Sequence, residues 1–131
     1  MASAPEEVFR RWAGFWNRGE LDTALRECMH PEVEWIPITV EGTCFHGHDG
    51  IRRWAEQLFG DWEVFEVHVE ESLSVSPTCA LALGHWRACA RGSGLAFERQ
   101  HASWLIALRD GRIGRLQTFT DREAALEAAG L

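Results

Sequence analysis

Of the side chains that could move a proton, His85 is the foremost candidate. A histidine titrates near neutral pH, so it can serve as a general base or acid. The competing reading is a core histidine satisfied by the Gln100 amide, because buried polar groups are as a rule hydrogen-bonded. Arg87 and Glu98 offer an anion site or a plain cross-strand ion pair. Asp121 stands at a strand end, where a carboxylate can reach a binding site or simply cap the next helix. His46-Gly47-His48-Asp49 presents two imidazoles and a carboxylate, the ligand types of zinc and iron sites. That spacing is too tight for all three to converge unless the loop curls, and loop polarity with capping explains them without a metal. The expectation is therefore no metal centre. His30, just before Pro31, reads as a helix-end residue, favourable at the negative pole. The chain has seven Trp, seven Phe and no Tyr, so phenol chemistry is excluded. A buried indole N–H needs a partner, so several tryptophans are expected to edge a cavity rather than fill a dry core.

The elements that must position these residues are legible from periodicity. Helices are predicted over Pro5–Arg18 and Leu21–Met29, the second stopped by Pro31. Val33–Ile36 is a short strand, 39–48 a loop, and Gly50–Phe59 a third helix capped by Asp49. Long strands follow at Trp62–Val75 and Cys79–Ala90, the latter apolar or small on both faces and so central in its sheet. Two apolar-rich runs, Leu95–Leu108 and Ile113–Thr120, flank Arg109-Asp110-Gly111-Arg112, a strong hairpin signal. A final helix, Arg122–Ala129, starts at Thr120 or Asp121. If Arg109 sits opposite Arg112, Trp104 faces Gln117 and Ala102 faces Phe119. For the preceding turn, pairing Ala90 with Leu95 puts Arg87 opposite Glu98 and His85 opposite Gln100; a one-residue shift would oppose Arg87 to Arg99. The first register is preferred. It places His85, Arg87, Gln100, Trp104, Gln117 and Phe119 on one face.

Composition sets the outer limits. A chain of 131 residues with 46% hydrophobic content suits one domain, residues 1–131, with residues 1–4 expected to be flexible. The net charge of -7, with no basic run, argues against nucleic-acid and anionic-membrane partners. No apolar stretch approaches the ~20 residues that span a bilayer. The start of the chain lacks the features of a signal peptide. Cys28, Cys44, Cys79 and Cys89 show no CxxC spacing and read as reduced, buried thiols, so a cytoplasmic location is expected.

Three stretches carry a resemblance: "FWNRGELDTALRECMHPEVEW", "GHDGIRRWAEQL" and "LRDGRIGRLQTFTDREAALEAAGL". They resemble the SnoaL-like branch of the NTF2-like superfamily, and the likeness covers nearly the whole chain. It implies an α+β cone, a curved mixed or antiparallel sheet wrapped around N-terminal helices. It implies a pocket between them, built from Trp12, Trp16, Trp35, Trp54 and Leu58 with His85, Gln100, Trp104, Gln117 and Phe119 from the sheet. It also implies a homodimer through the outer face, to which Ala82, Gly84, Trp86, His101, Ser103, Leu105 and Thr118 are assigned.

No known catalytic set of the superfamily maps cleanly onto this chain. Trp104 stands where polyketide-cyclase relatives carry an aspartate. The Asp base and Tyr oxyanion hole of ketosteroid isomerases lack their tyrosine. The Asp-Arg-Asp network of limonene-epoxide hydrolases finds only Arg87 with Glu98. The expected activity is isomerase, cyclase or dehydratase chemistry on a small hydrophobic carbonyl compound. His85 would be the base, Gln100 and Gln117 would polarise the carbonyl, and no metal or organic cofactor is expected. The alternatives are a non-catalytic binder of a hydrophobic metabolite or a dimerisation scaffold.

Overall fold

The computed structural model describes residues 4–37 and 43–131, except the side chains of Arg99 and Gln100. The expected flexibility at residues 1–3 and the 39–42 part of the expected loop fall outside those residues.

Helix α1 spans Pro5–Asn17, with proline in its first turn and Glu6 and Glu7 at the positive end of the dipole. Its apolar stripe buries Val8, Phe9, Trp12, Ala13 and Trp16. Helix α2, Leu21–Cys28, runs directly into strand β1, Met29–Ile36. Pro31 thus does not act as the stop. It lies inside β1, where the ladder shifts register between Met29 and Glu34, a break that tolerates a residue with no N–H. Strand β2 is Phe45–His46, and α3 covers Gly47–Asp61, starting before the expected Gly50. The remaining elements are β3 (Trp62–Ser76), β4 (Cys79–Ala90), β5 (Ala96–Arg109), β6 (Arg112–Phe119) and α4 (Arg122–Ala128).

The strands form one sheet in the order β2-β1-β6-β5-β4-β3, antiparallel except for β1 beside β6. Helix α3 touches β1 and β2 near one edge and β3 at the other. The sheet therefore curls, and α1 and α3 lie in its concavity, as an α+β cone requires. Edge strand β3 is tied to α1 by the Asn17 amide, which donates to the Val67 carbonyl and accepts from the Val67 N–H, both at 2.8 Å. A side chain thereby occupies backbone groups that an edge otherwise leaves open.

The β5–β6 turn is as expected. Asp110 (φ 53°) and Gly111 (φ 80°) occupy the left-handed region, and Arg109 pairs with Arg112. One step further the register slips: Leu108 pairs with Ile113, but Ala107 pairs with Arg115, leaving Gly114 as a bulge. Trp104 therefore opposes Thr118, and Phe119 opposes Ser103. A second slip separates Arg87↔Glu98, as expected, from Gly84↔Ala102, so two β5 residues face His85. A third, between Val69 and Glu71, makes Glu70 the extra residue of β3. Each slip transfers the following side chains to the other face.

The concave face thus carries Val67, Ala82, Ala102, Trp104, Ile106, Ile113 and Leu116, all buried against the helices. The convex face carries Leu81, Leu83, Leu105 and Phe119, covered by Ala125 and Leu126 of α4. Asp121 caps α4, accepting from the Glu123 N–H at 3.0 Å. That settles it as a structural carboxylate.

A tryptophan-lined cavity as the candidate functional site

Six of the chain's seven tryptophans meet around one cavity in the cone: Trp12 and Trp16 from α1, Trp35 from β1, Trp54 from α3, Trp86 from β4 and Trp104 from β5. Pro37, Phe65, Val67 and Thr118 complete the wall. The rings brace one another. Trp16 stacks on Trp12 and Trp54 at 5.5 and 5.3 Å, Trp35 meets Trp54 edge-on at 5.0 Å, and Trp86 stacks on Phe65 at 5.0 Å. Such contacts add about 0.5–1.5 kcal/mol each beyond burial and hold the wall in place. The space open to the centre of a water-sized sphere is about 20 Å³. That suits roughly one water, so anything larger could be held only if the surrounding side chains moved apart.

Polar satisfaction is uneven. Trp16 donates its indole N–H to the Phe65 carbonyl at 2.8 Å. The indole nitrogens of Trp12, Trp35 and Trp86 and the hydroxyl of Thr118 are buried with no partner among the described residues. No lining side chain among the described residues is titratable.

The residues expected to form the pocket are divided by this geometry. Trp12, Trp16, Trp35, Trp54 and Trp104 line the cavity. Leu58 is buried in the adjoining core and does not line it. Gln117 and Phe119 are displaced by the Gly114 bulge; Phe119 packs in the α4 cluster. The side chain of Gln100 lies outside the described set. Trp86 and Thr118, assigned by sequence to the outer face, line the cavity, and Ala82 is in the core with them. Strand glycines were the available signal: Gly84 and Gly114 sit in strand interiors, where glycine marks a bulge or a close backbone approach.

His85 is on the convex face, not in the cavity. Its Nδ1 lies 2.5 Å from Glu70 Oε1 and its Nε2 3.8 Å from Glu98 Oε1, while its ring stacks on His68 at 4.9 Å. The bulge opposite it on β5 causes this reversal, and a proton-transfer role inside the cavity is corrected accordingly. Arg87 stands opposite Glu98 in the ladder but is exposed, and the pair makes no ion pair among the described residues.

The histidine–aspartate loop is dispersed. His48 Nε2 contacts the Met29 carbonyl at 3.0 Å, Asp49 pairs with Arg52 at 3.0 Å, and His46 precedes α3 as an exposed residue. His30 lies in β1, where Nδ1 accepts from the Glu32 N–H and Nε2 lies 3.4 Å from Asp110. The four cysteines are free, and only Cys28 is fully buried. Burial pushes the Cys28 thiol up from its ordinary value, despite the Arg11 charge nearby. Among the described residues no helix is long and apolar enough to cross a membrane.

Known proteins share this architecture. An NTF2-like protein of unknown function from Burkholderia pseudomallei K96243 superposes with a TM-score of 0.78 at 18% identity, over 98% of this chain and 99% of that one. TerC, co-crystallised with polyporic acid, gives 0.78 at 19% identity, over 98% and 100%. The phenazine biosynthesis protein PhzA2 of Pseudomonas aeruginosa is 28% identical over 100 residues, 74% of this chain and 62% of that protein. This chain's match thus spans about three fifths of that curated relative's length. The SnoaL-like domain model matches residues 9–116, and the chain belongs to the SnoaL-like domain family.

Proposed function

We propose that this chain encloses a small, largely apolar carbonyl compound and acts on it by shape and desolvation, not by side-chain proton transfer. One observation carries the reading: a cavity walled by six tryptophans has no titratable lining side chain among the described residues. An acid–base catalyst must lie within hydrogen-bond reach of the proton it moves. His85 lies on the opposite face of the sheet, which removes the expected base from the cavity. Chemistry in such a site comes from holding a reactive compound in one conformer away from water. Support for a small organic ligand comes from the relatives: PhzA2 is named for phenazine biosynthesis, and TerC was crystallised with polyporic acid.

The test is a thermal-shift and tryptophan-fluorescence screen of the purified protein against small aromatic and alicyclic ketones. Binding is expected to raise the melting temperature with ligand concentration and to change indole emission. Absence of any shift across that class refutes the reading. The proposal includes a homodimer through the part of the convex face that α4 leaves open; a monomer in sedimentation equilibrium at micromolar concentration would remove that part.

A further inference from the structure

Six side-chain polar atoms are buried without a partner among the described residues, and four of them belong to residues lining the one tryptophan cavity. Scattered orphans would read as local imperfections of packing. Four on one wall read as a set, because each costs free energy while it stays unpaired. We propose that Trp12, Trp35, Trp86 and Thr118 form a donor array that selects a neutral, flat ligand bearing carbonyl-type oxygen acceptors. The inference rests on the cavity being a ligand site, as proposed above.

The chemistry of the set is one-sided. An indole N–H donates and cannot accept, whereas a threonine hydroxyl does either. The residues that line the cavity therefore carry at least three unpaired donors and no side-chain group that only accepts. A ligand rich in O–H or N–H donors would leave its own polar groups unpaired there. A carboxylate would use the donors, but no cationic side chain among the described lining residues compensates its charge, and burying an unpaired charge is costly. A quaternary ammonium would use ring faces, but Trp12 and Trp16 each stack on at least two neighbouring rings and one face of Trp86 is stacked on Phe65, and it would satisfy none of the donors. A neutral carbonyl uses the donors and carries no charge. Trp35 is the donor with a partial alternative, since its ring meets Trp54 edge-to-face.

The experiment compares acetophenone with cumene, a near-isosteric molecule without the oxygen, and with benzyltrimethylammonium chloride. Each is titrated into the intact protein by ligand-observed NMR. Acetophenone is expected to bind about tenfold more tightly than cumene, although cumene is the more hydrophobic. In Trp86→Phe and Thr118→Val, each shown folded by circular dichroism, that ratio should fall by about threefold or more, whatever the change in cumene affinity itself. Equal binding of acetophenone and cumene overturns the donor array and leaves the cavity's role as a ligand site intact. Tighter binding of the ammonium compound overturns the array in favour of a cation cage. Binding of none of the three overturns both the array and the ligand site on which it rests.

Discussion

Gly84→Ala tests the geometry that brings the cavity wall together. A Cβ built on Gly84 would lie 1.9 Å from the His68 carbonyl oxygen, 3.0 Å from the His68 carbonyl carbon and 3.1 Å from Val69 Cα. All three atoms are backbone of β3, next to the point where its ladder with β4 slips register. A carbon–oxygen contact rests at about 3.3 Å, so β3 must retreat by roughly 1.4 Å at this point. Ladder bonds of about 2.9 Å would then stretch beyond hydrogen-bonding range. Losing one or two of them, at ~0.5–1.5 kcal/mol each, adds to an overpacking cost of ~1–3 kcal/mol, for a total of roughly 2–6 kcal/mol. For a chain of this length each kcal/mol moves the melting temperature by about 3–5 °C, so a fall of roughly 6–30 °C is expected. The assay is thermal unfolding by far-ultraviolet circular dichroism at fixed protein concentration, with Gly60→Ala as control. A Cβ on Gly60, inside α3, meets nothing within 4 Å, so that change should be neutral or stabilising. A Gly84→Ala melting point within about 2 °C of the parent would refute the argument, since even a 1 kcal/mol loss exceeds it.

His85→Gln is expected to leave ketone binding unchanged within about twofold, because the side chain lies outside the cavity; a titration showing a larger loss would restore it to the site. Asp121→Ala removes the side-chain cap of α4 and should cost about 0.5–2 kcal/mol. Faster hydrogen exchange confined to α4, and dye binding to the uncovered Leu81 and Leu83, are the signs to look for. Burial raises the Cys28 thiol, and likewise those of Cys44 and Cys79, above their ordinary 9.0. The unfolded chain therefore loses these protons first as pH rises, and stability should fall above that value while being indifferent to these groups below it. Urea midpoints measured from neutral to alkaline pH should show this slope, and Cys28→Ala should flatten it in part; an unchanged slope in the variant would exclude Cys28 as a source.

The sequence by itself determined the helices, the hairpin turns and the gathering of aromatic residues. The apolar stripe of α1 predicts the burial of Trp12 and Trp16 because helical spacing leaves no other face. Asp110-Gly111 predicts its turn because both positions need positive φ. Charge alone selected Arg87 opposite Glu98. Those local signals, with the family resemblance, sufficed for the NTF2-like cone. Which side of the sheet each strand residue occupies was decided only in the tertiary structure. Three one-residue bulges, at Gly114, opposite His85 on β5 and at Glu70, exchange the faces. Trp86 and Thr118 are thereby turned inward and His85 and Gln117 outward. Side chains alternate with period two, so a single unpaired residue inverts all that follows it. Nothing in the alternation itself says where such a residue will fall. Its place is set by the curl that wraps the sheet around α1 and α3, and by the close approach of β3 to Gly84.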